Sequence, residues 1–391
     1  MNRRCASSAP FLLCSRQVFA APIQHAARYT SAVTRPDRNA NDACKKLVSR
    51  LGISNAAAEL YLKSRVVDLH VESYSFYRSF GYDLTRRHGP GINRALLFSQ
   101  ADLPRLLEAD IAGATWSITA NPLRPNQDRA AALQFQDNEL SELLENAPNM
   151  ARVVRNYEEF ERARHDGAHA AFIGIQGANA LPNDLNFLAT IKDRILRITL
   201  LHMSDSEWGA SSTPRPRFTH AGLTHQGFEL IEALNHHQIG VDLAHIHPEG
   251  FWDAMSVHRR DLPVFVSHTG VRGVHDHFRN VDDRQLKAVA ACSGVVGIMY
   301  HSMYLGDPLL SGRVETVARH VKHALNVAGA DHVALGSDWD GLICTPRDMP
   351  TCLELPRLVD ALLLLGVSED TVTQVLGENF LRVVKQLRGG P

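Results

Sequence analysis

His70 and Glu72 lie two residues apart at the end of the apolar run Arg65-Val-Val-Asp-Leu69. In an extended strand both side chains project to one face, where an imidazole and a carboxylate can chelate one cation. His245 follows Val241-Asp-Leu-Ala244, and His268 follows Val264-Phe-Val-Ser267. These two apolar runs are consecutive, and neighbouring strands lie ~4.8 Å apart, so the two imidazoles can meet at one metal. Asp338 ends a further run, in Gly336-Ser-Asp-Trp-Asp-Gly341. A carboxylate there suits carrying a proton from an activated water to a leaving group. Gln176 and His202 end two more runs. His202 could polarise a carbonyl, and Arg279, in Asp276-His-Phe-Arg-Asn280, offers a planar fork for a carboxylate. Each residue has a plainer reading. H-x-E recurs by chance, His and Asp cap helices, and Asp340-Gly341 alone reads as a turn. The repeated placement of these groups at the ends of apolar runs weighs against that reading.

Eight short, apolar, β-branched runs supply the strands that would position these groups: Val66–His70, Ala114–Ile118, Ala171–Gln176, Arg197–Leu201, Gly240–Leu243, Val264–Ser267, Val295–Ile298 and Val333–Gly336. Such runs suit buried parallel strands. Helical periodicity fills the gaps, as in Thr224–His237 and Arg313–Ala328. Asp282-Asp283 opens another helix with acidic residues at its positive end. Polar groups repeatedly spent at strand C-termini predict a (β/α)8 TIM barrel with a site at its top face. The segments Asn121–Asp128 and Met203–His220 read as long top-face loops that shape a pocket. Residues 37–64 read as polar linker and then a helix within Asn55–Lys63.

Lys and Arg number 41 against 42 Asp and Glu, so no basic excess points to nucleic acid. Six cysteines form no CxxC pair and read as free thiols. No segment has the ~18 apolar residues of a membrane span. Residues 1–36 lack Asp and Glu but carry five Arg, which suits either a transit peptide or an unstructured leader. The domain reading is an N-terminal extension over 1–58 and the barrel over 59–391. The expected compartment is the cytoplasm, or the mitochondrion if the leader is a transit peptide.

The ordered motifs resemble the membrane (renal) dipeptidase family, the M19 metallopeptidases, which are metal-dependent hydrolases of amidohydrolase type. The resembling segments are Val67-Asp-Leu-His-Val-Glu72, Gly174-Ile-Gln-Gly-Ala178, Arg197-Ile-Thr-Leu-Leu-His202, Gly222-Leu-Thr224, Val241-Asp-Leu-Ala-His245, Pro263-Val-Phe-Val-Ser-His268, His277-Phe-Arg-Asn280 and Gly336-Ser-Asp-Trp-Asp-Gly341. They run from about Val66 to Leu376–Val383. The resemblance implies hydrolysis of a dipeptide or similar small amide at a zinc centre of one or two divalent ions. It implies that His70 and the residue two after it hold one ion and that His245 and His268 hold the other. The residue at 176 would bridge them, His202 and Arg279 would bind substrate, and Asp338 would be the acid–base. A homodimer is a candidate assembly.

Two positions depart from the family pattern. Glu72 stands where the family has Asp, and the extra methylene moves the carboxylate by roughly 1.5 Å. Gln176 stands where the family has the bridging Glu. Two divalent ions about 3.5–4 Å apart rely on bridging anions, and an amide offers one neutral oxygen. The expectation is therefore a weakened centre with one tightly held ion. Gln176 also leaves open other chemistry on the same barrel, such as another hydrolysis or an iron-dependent oxidation, or a binding protein without catalysis.

Overall fold

The computed structural model describes residues 40–89, 91, 97–121, 123–214 and 221–389. Among the described residues the apolar runs become nine parallel strands. They are β1 (Val66–Val71), β2 (Ile111–Thr119), β3 (Ala151–Val153), β4 (His169–Gln176), β5 (Ile195–Thr199), β6 (Gly240–Asp242), β7 (Phe265–Thr269), β8 (Val295–Ile298) and β9 (Val333–Leu335). Eight of them match the eight expected runs. They close a barrel in the order β1-β2-β4-β5-β6-β7-β8-β9, with β9 returning to β1. The seam is short, with Asp68 facing Leu335. The longest register runs from Gly113↔Ala170 to Thr119↔Gln176 between β2 and β4. The fold is a (β/α)8 barrel, as expected.

β3 was not expected. It pairs with the first residues of β4, Ala151 against His169, outside the closed ring. The segment expected to be linker contains the helix Ala40–Leu51, and Asn55–Lys63 is the next helix. Ser54 caps that second helix and also bonds Asp360 through its hydroxyl at 2.6 Å.

The helix signals translate closely. Thr224 caps His225–His236, and Asp282 caps Asp283–Ala291 in a reciprocal capping box with Gln285. Val314–Ala328 follows Arg313. The loop after β2 is shorter than expected, because a helix begins at Asn126. Residues 215–220 of the expected pocket loop after β5 lie outside the described residues. Cys44, Cys292, Cys344 and Cys352 are buried free thiols, as expected, and Cys5 and Cys14 lie outside the described residues.

Apolar packing closes the lower end of the barrel. Val67, Phe172, Phe265 and Val295 from four strands cluster with Phe380, Leu381 and Val384 of the C-terminal helix Asn379–Arg388. Higher in the barrel the filling turns polar, with Asp68, Arg197, Asp242 and Ser267 all fully buried. Gly174 leaves room for this layer, since a Cβ there would lie 3.0 Å from Thr115 and 3.5 Å from Arg197. Among the described residues no helix is long and apolar enough to cross a membrane.

Candidate metal centre

All eight site residues named from the sequence converge above this polar layer. His245 and His268 leave β6 and β7 with their Nε2 atoms 2.8 Å apart. Gln176, the last residue of β4, places its amide nitrogen 3.3 Å from His245 Nε2 and 3.5 Å from His268 Nε2. Its oxygen lies 3.4 Å from Thr119 Oγ1. His70 stacks on His268, with ring centroids 3.9 Å apart. His70 Nε2 lies 3.2 Å from Glu72 Oε1 and 3.5 Å from Asp338 Oδ1. His202 meets His245 edge to face at 4.8 Å. Arg279 donates from one terminal nitrogen to the His268 carbonyl at 2.8 Å.

Local backbone aims these groups. His245 and Asp338 have φ of 64° and 63°, in the left-handed region that non-glycine residues seldom adopt. Gly341 must be glycine, because a Cβ there would lie 2.1 Å from Asp338 Oδ1. Asp340 is fully occupied elsewhere. It accepts from the Ser73 hydroxyl at 2.5 Å and from the Gln100 and Ala101 backbone N–H groups, which ties the loop after β9 to the start of the fold.

Burial dominates the electrostatics. It holds His245 and His268 well below the usual imidazole range, with Arg279 adding to the effect. Both rings are therefore neutral, the form that ligates. Burial brings His202 down to about 4, so it too is a neutral N–H donor. It lowers the Arg279 guanidinium to about 10. Asp338 is pushed well above the carboxylate range, first by burial and then by the charge of Glu72. Asp68 is pushed up to about 7 by burial, against N–H donors from His70 and Ser337.

The groups behind the site were not among the residues named from sequence. Asp242 accepts hydroxyl protons from Thr199 and Ser267, each at 2.6 Å, and a guanidinium proton from Arg197 at 2.7 Å. Ser267 Oγ lies 2.9 Å from His268 Nδ1. That hydroxyl donates to Asp242, so it accepts from His268 Nδ1–H. The Nε2 lone pair of His268 is left facing His245. The chemistry of this half of the donor set fits a cation, with two neutral imidazoles facing each other and one ring held in orientation. The other half fits less well. Gln176 contributes no negative charge, and His70 Nδ1 faces a guanidinium nitrogen of Arg197 at 2.7 Å.

Comparison with known proteins agrees with this architecture. The sequence profile of the membrane dipeptidase family, peptidase family M19, matches residues 54–389. An uncharacterised dipeptidase of Schizosaccharomyces pombe is 28% identical over 302 residues, covering 73% of each chain. The dipeptidase tcpJ of Claviceps purpurea is 26% identical over 300 residues, covering 74% of this chain and 70% of the relative. Among solved structures, a dipeptidase described as an M19 metallopeptidase superposes with a TM-score of 0.74 at 25% identity. It covers 84% of this chain and 99% of its own. A Rhodobacter sphaeroides metallopeptidase, solved with a phosphinate mimic of the dipeptide L-Ala-D-Ala, shares the fold with a TM-score of 0.70 at 24% identity. It covers 83% and 99% of the two chains. The chain belongs to the membrane dipeptidase family.

Proposed function

We propose that this family member is a metal-dependent hydrolase of dipeptides or similar small amides. The observation that carries the reading is the His245–His268 pair, 2.8 Å apart at Nε2, with the Asp242–Ser267 relay behind it and Asp338 nearby. One divalent ion, zinc by family resemblance, would be held by His245 and His268 with Gln176 beside them. His70 and Glu72 would form the weaker position. When bound, such an ion supplies a Lewis acid and a more acidic water.

The remaining steps belong to the protein. Asp338 receives the proton of the attacking water on a carboxylate oxygen and returns it to the leaving amine nitrogen. The neutral His202 donates an N–H to the scissile carbonyl oxygen, where negative charge develops. Arg279 is anchored through the His268 carbonyl, while its Nε has no hydrogen-bond partner among the described residues. That N–H is available to a substrate carboxylate. Asp338 and Arg279 are buried and His202 partly so, which limits competition from bulk water.

Gln176 favours a second reading, the same barrel turned to other chemistry. Zinc content and dipeptide turnover, measured on the natural protein and on Gln176→Glu, separate the two. The proposed activity predicts measurable dipeptide hydrolysis, with tighter zinc and faster turnover in Gln176→Glu. A variant that binds zinc more tightly but hydrolyses no dipeptide favours the second reading.

A further inference from the structure

We infer that His301 and Tyr304, in the turn after β8, form an anion subsite beside Arg279. It takes a side-chain carboxylate on the C-terminal residue of the substrate. The inference deepens the dipeptide-hydrolase reading above and rests on it for the role of Arg279.

The turn is held from two sides. Residues Ser302–Leu305 form one short 3-10 turn. At its start the Ser302 backbone N–H and hydroxyl both donate to the Cys344 carbonyl, at 2.8 and 2.9 Å. That carbonyl belongs to the loop after β9. At the other end Asn280, in the loop after β7, donates from its side chain to the Tyr304 carbonyl at 2.7 Å.

His301 is buried in this clamp. The Cys344 backbone N–H donates to its Nδ1 at 3.0 Å, while the Cys344 carbonyl lies further off at 3.5 Å. Nδ1 therefore presents its lone pair, and the neutral ring carries its proton on Nε2. Burial brings His301 down to about 4, so at neutral pH the ring is an uncharged N–H donor. The Tyr304 ring meets His301 edge to face at 4.3 Å and stacks on His277 at 4.6 Å. His277 is fixed in turn, because its Nδ1 accepts the Arg279 backbone N–H at 3.2 Å. Among the described residues nothing accepts from His301 Nε2–H or from the Tyr304 hydroxyl.

The Tyr304 phenol lies within electrostatic reach of Arg279, and Arg279 within reach of His301. With the α-carboxylate of a dipeptide on Arg279, the side chain of its C-terminal residue meets this turn. It meets donors in a positive field. Neighbouring carboxylates are engaged elsewhere. Asp276 is 87% exposed and faces Arg272 at 3.7 Å, and Asp307 accepts the Arg313 backbone N–H at 2.9 Å. A neutral imidazole can stand beside a guanidinium without repelling it, yet it still donates. Hydrogen bonds to an ionised acceptor are stronger than those to a neutral one. The subsite therefore selects a carboxylate over the amide of the same shape.

The test compares near-isosteric dipeptides on the zinc-loaded natural protein. The kcat/KM for alanyl-aspartate should exceed those for alanyl-asparagine and alanyl-leucine at least tenfold. Tyr304→Phe keeps the ring and loses the hydroxyl. It should raise KM for alanyl-aspartate at least fivefold and leave KM for alanyl-alanine unchanged. His301→Asn keeps an acceptor for the Cys344 N–H and loses the far N–H, and the same pattern is expected. Because His301 is buried, Tyr304→Phe carries the test if His301→Asn does not fold. Arg279→Ala should instead raise KM for both substrates. Equal handling of alanyl-aspartate and alanyl-asparagine overturns the subsite. So does an equal rise in KM for alanyl-alanine in Tyr304→Phe, which would place the hydroxyl on the α-carboxylate. A preference for alanyl-leucine would make the Tyr304 cluster an apolar wall and also overturns it. A protein that cleaves none of these dipeptides defeats the hydrolase reading alone, and the intact dipeptides then serve as ligands. Calorimetry should still find alanyl-aspartate bound at least tenfold more tightly than alanyl-asparagine, with the difference lost in Tyr304→Phe. Equal affinities there overturn the subsite as well.

Discussion

At the lower rim of the barrel, Asp110, Gln238 and Ser293 take φ of 57°, 53° and 52°. Each follows the end of a helix and leads into β2, β6 or β8. The left-handed turn there stops the helix, a task that glycine performs elsewhere. At the upper rim His245 and Asp338 take nearly the same φ, 64° and 63°. No helix ends at these positions. The turn instead swings a side chain off a strand end and into the site. The cost is similar at both rims, about 1–2 kcal/mol per residue. At the bottom it is a concession to chain routing that glycine would remove. At the top the strained residue is itself a candidate site residue, so a glycine there would relieve the turn but delete the side chain.

Substitutions at the two rims should therefore separate activity from stability. The largest effect is expected from Asp338→Asn, which keeps shape but loses the proton acceptor. Dipeptide turnover should fall roughly 10²–10⁴-fold, with the urea midpoint little changed. Normal turnover in that variant would remove Asp338 from the chemistry. Arg279→Ala should cost about 1.5–3 kcal/mol of binding to a charged group, seen mostly as a higher KM for substrates with a free carboxylate. An unchanged KM would dissolve its assignment. At the opposite end, Asn379 donates from its side chain to the Ala330 and Val333 carbonyls at 2.6 and 2.8 Å. Asn379→Ala should lower stability by about 1–3 kcal/mol in urea unfolding, while zinc content and KM stay put. A shift in KM would mean that the two rims are coupled. The smallest effect is expected for Gln238→Gly, neutral or stabilising by at most about 1 kcal/mol. A clear loss of stability would show that Gln238 does more than turn the chain.

The sequence exposed the top face better than the layer beneath it. His70, His245, His268 and Asp338 were readable because each ends an apolar strand, and strand ends in a barrel share one face. Asp68, Arg197 and Asp242 carried a fainter mark. Each is a single charged residue inside an apolar run, as in Leu196-Arg-Ile198. Such a residue signals a buried partner, but its identity depends on strand neighbours that periodicity does not reveal. β3 escaped because Ala-Arg-Val is too short to show a period and pairs only at an edge. The helix Ala40–Leu51 did leave a signal. Cys44, Leu47, Val48 and Leu51 are spaced as one helical stripe, outweighed in the reading by polar neighbours.

The seam of the barrel also bears on how the chain is made. Asp68 in β1 finds its partner Leu335 only when β9 exists. At about 5–20 residues per second, the ribosome needs roughly 15–50 seconds to deliver that partner after β1 emerges. Until then β1 has an open edge, and Asp68 and His70 lack the Ser337 and Asp338 that they meet in the finished barrel. The interval favours a chaperone, or slow pairing with β2 alone, before closure. The unfinished chain can present the His245–His268 pair well before His70 and Asp338 come together beside it.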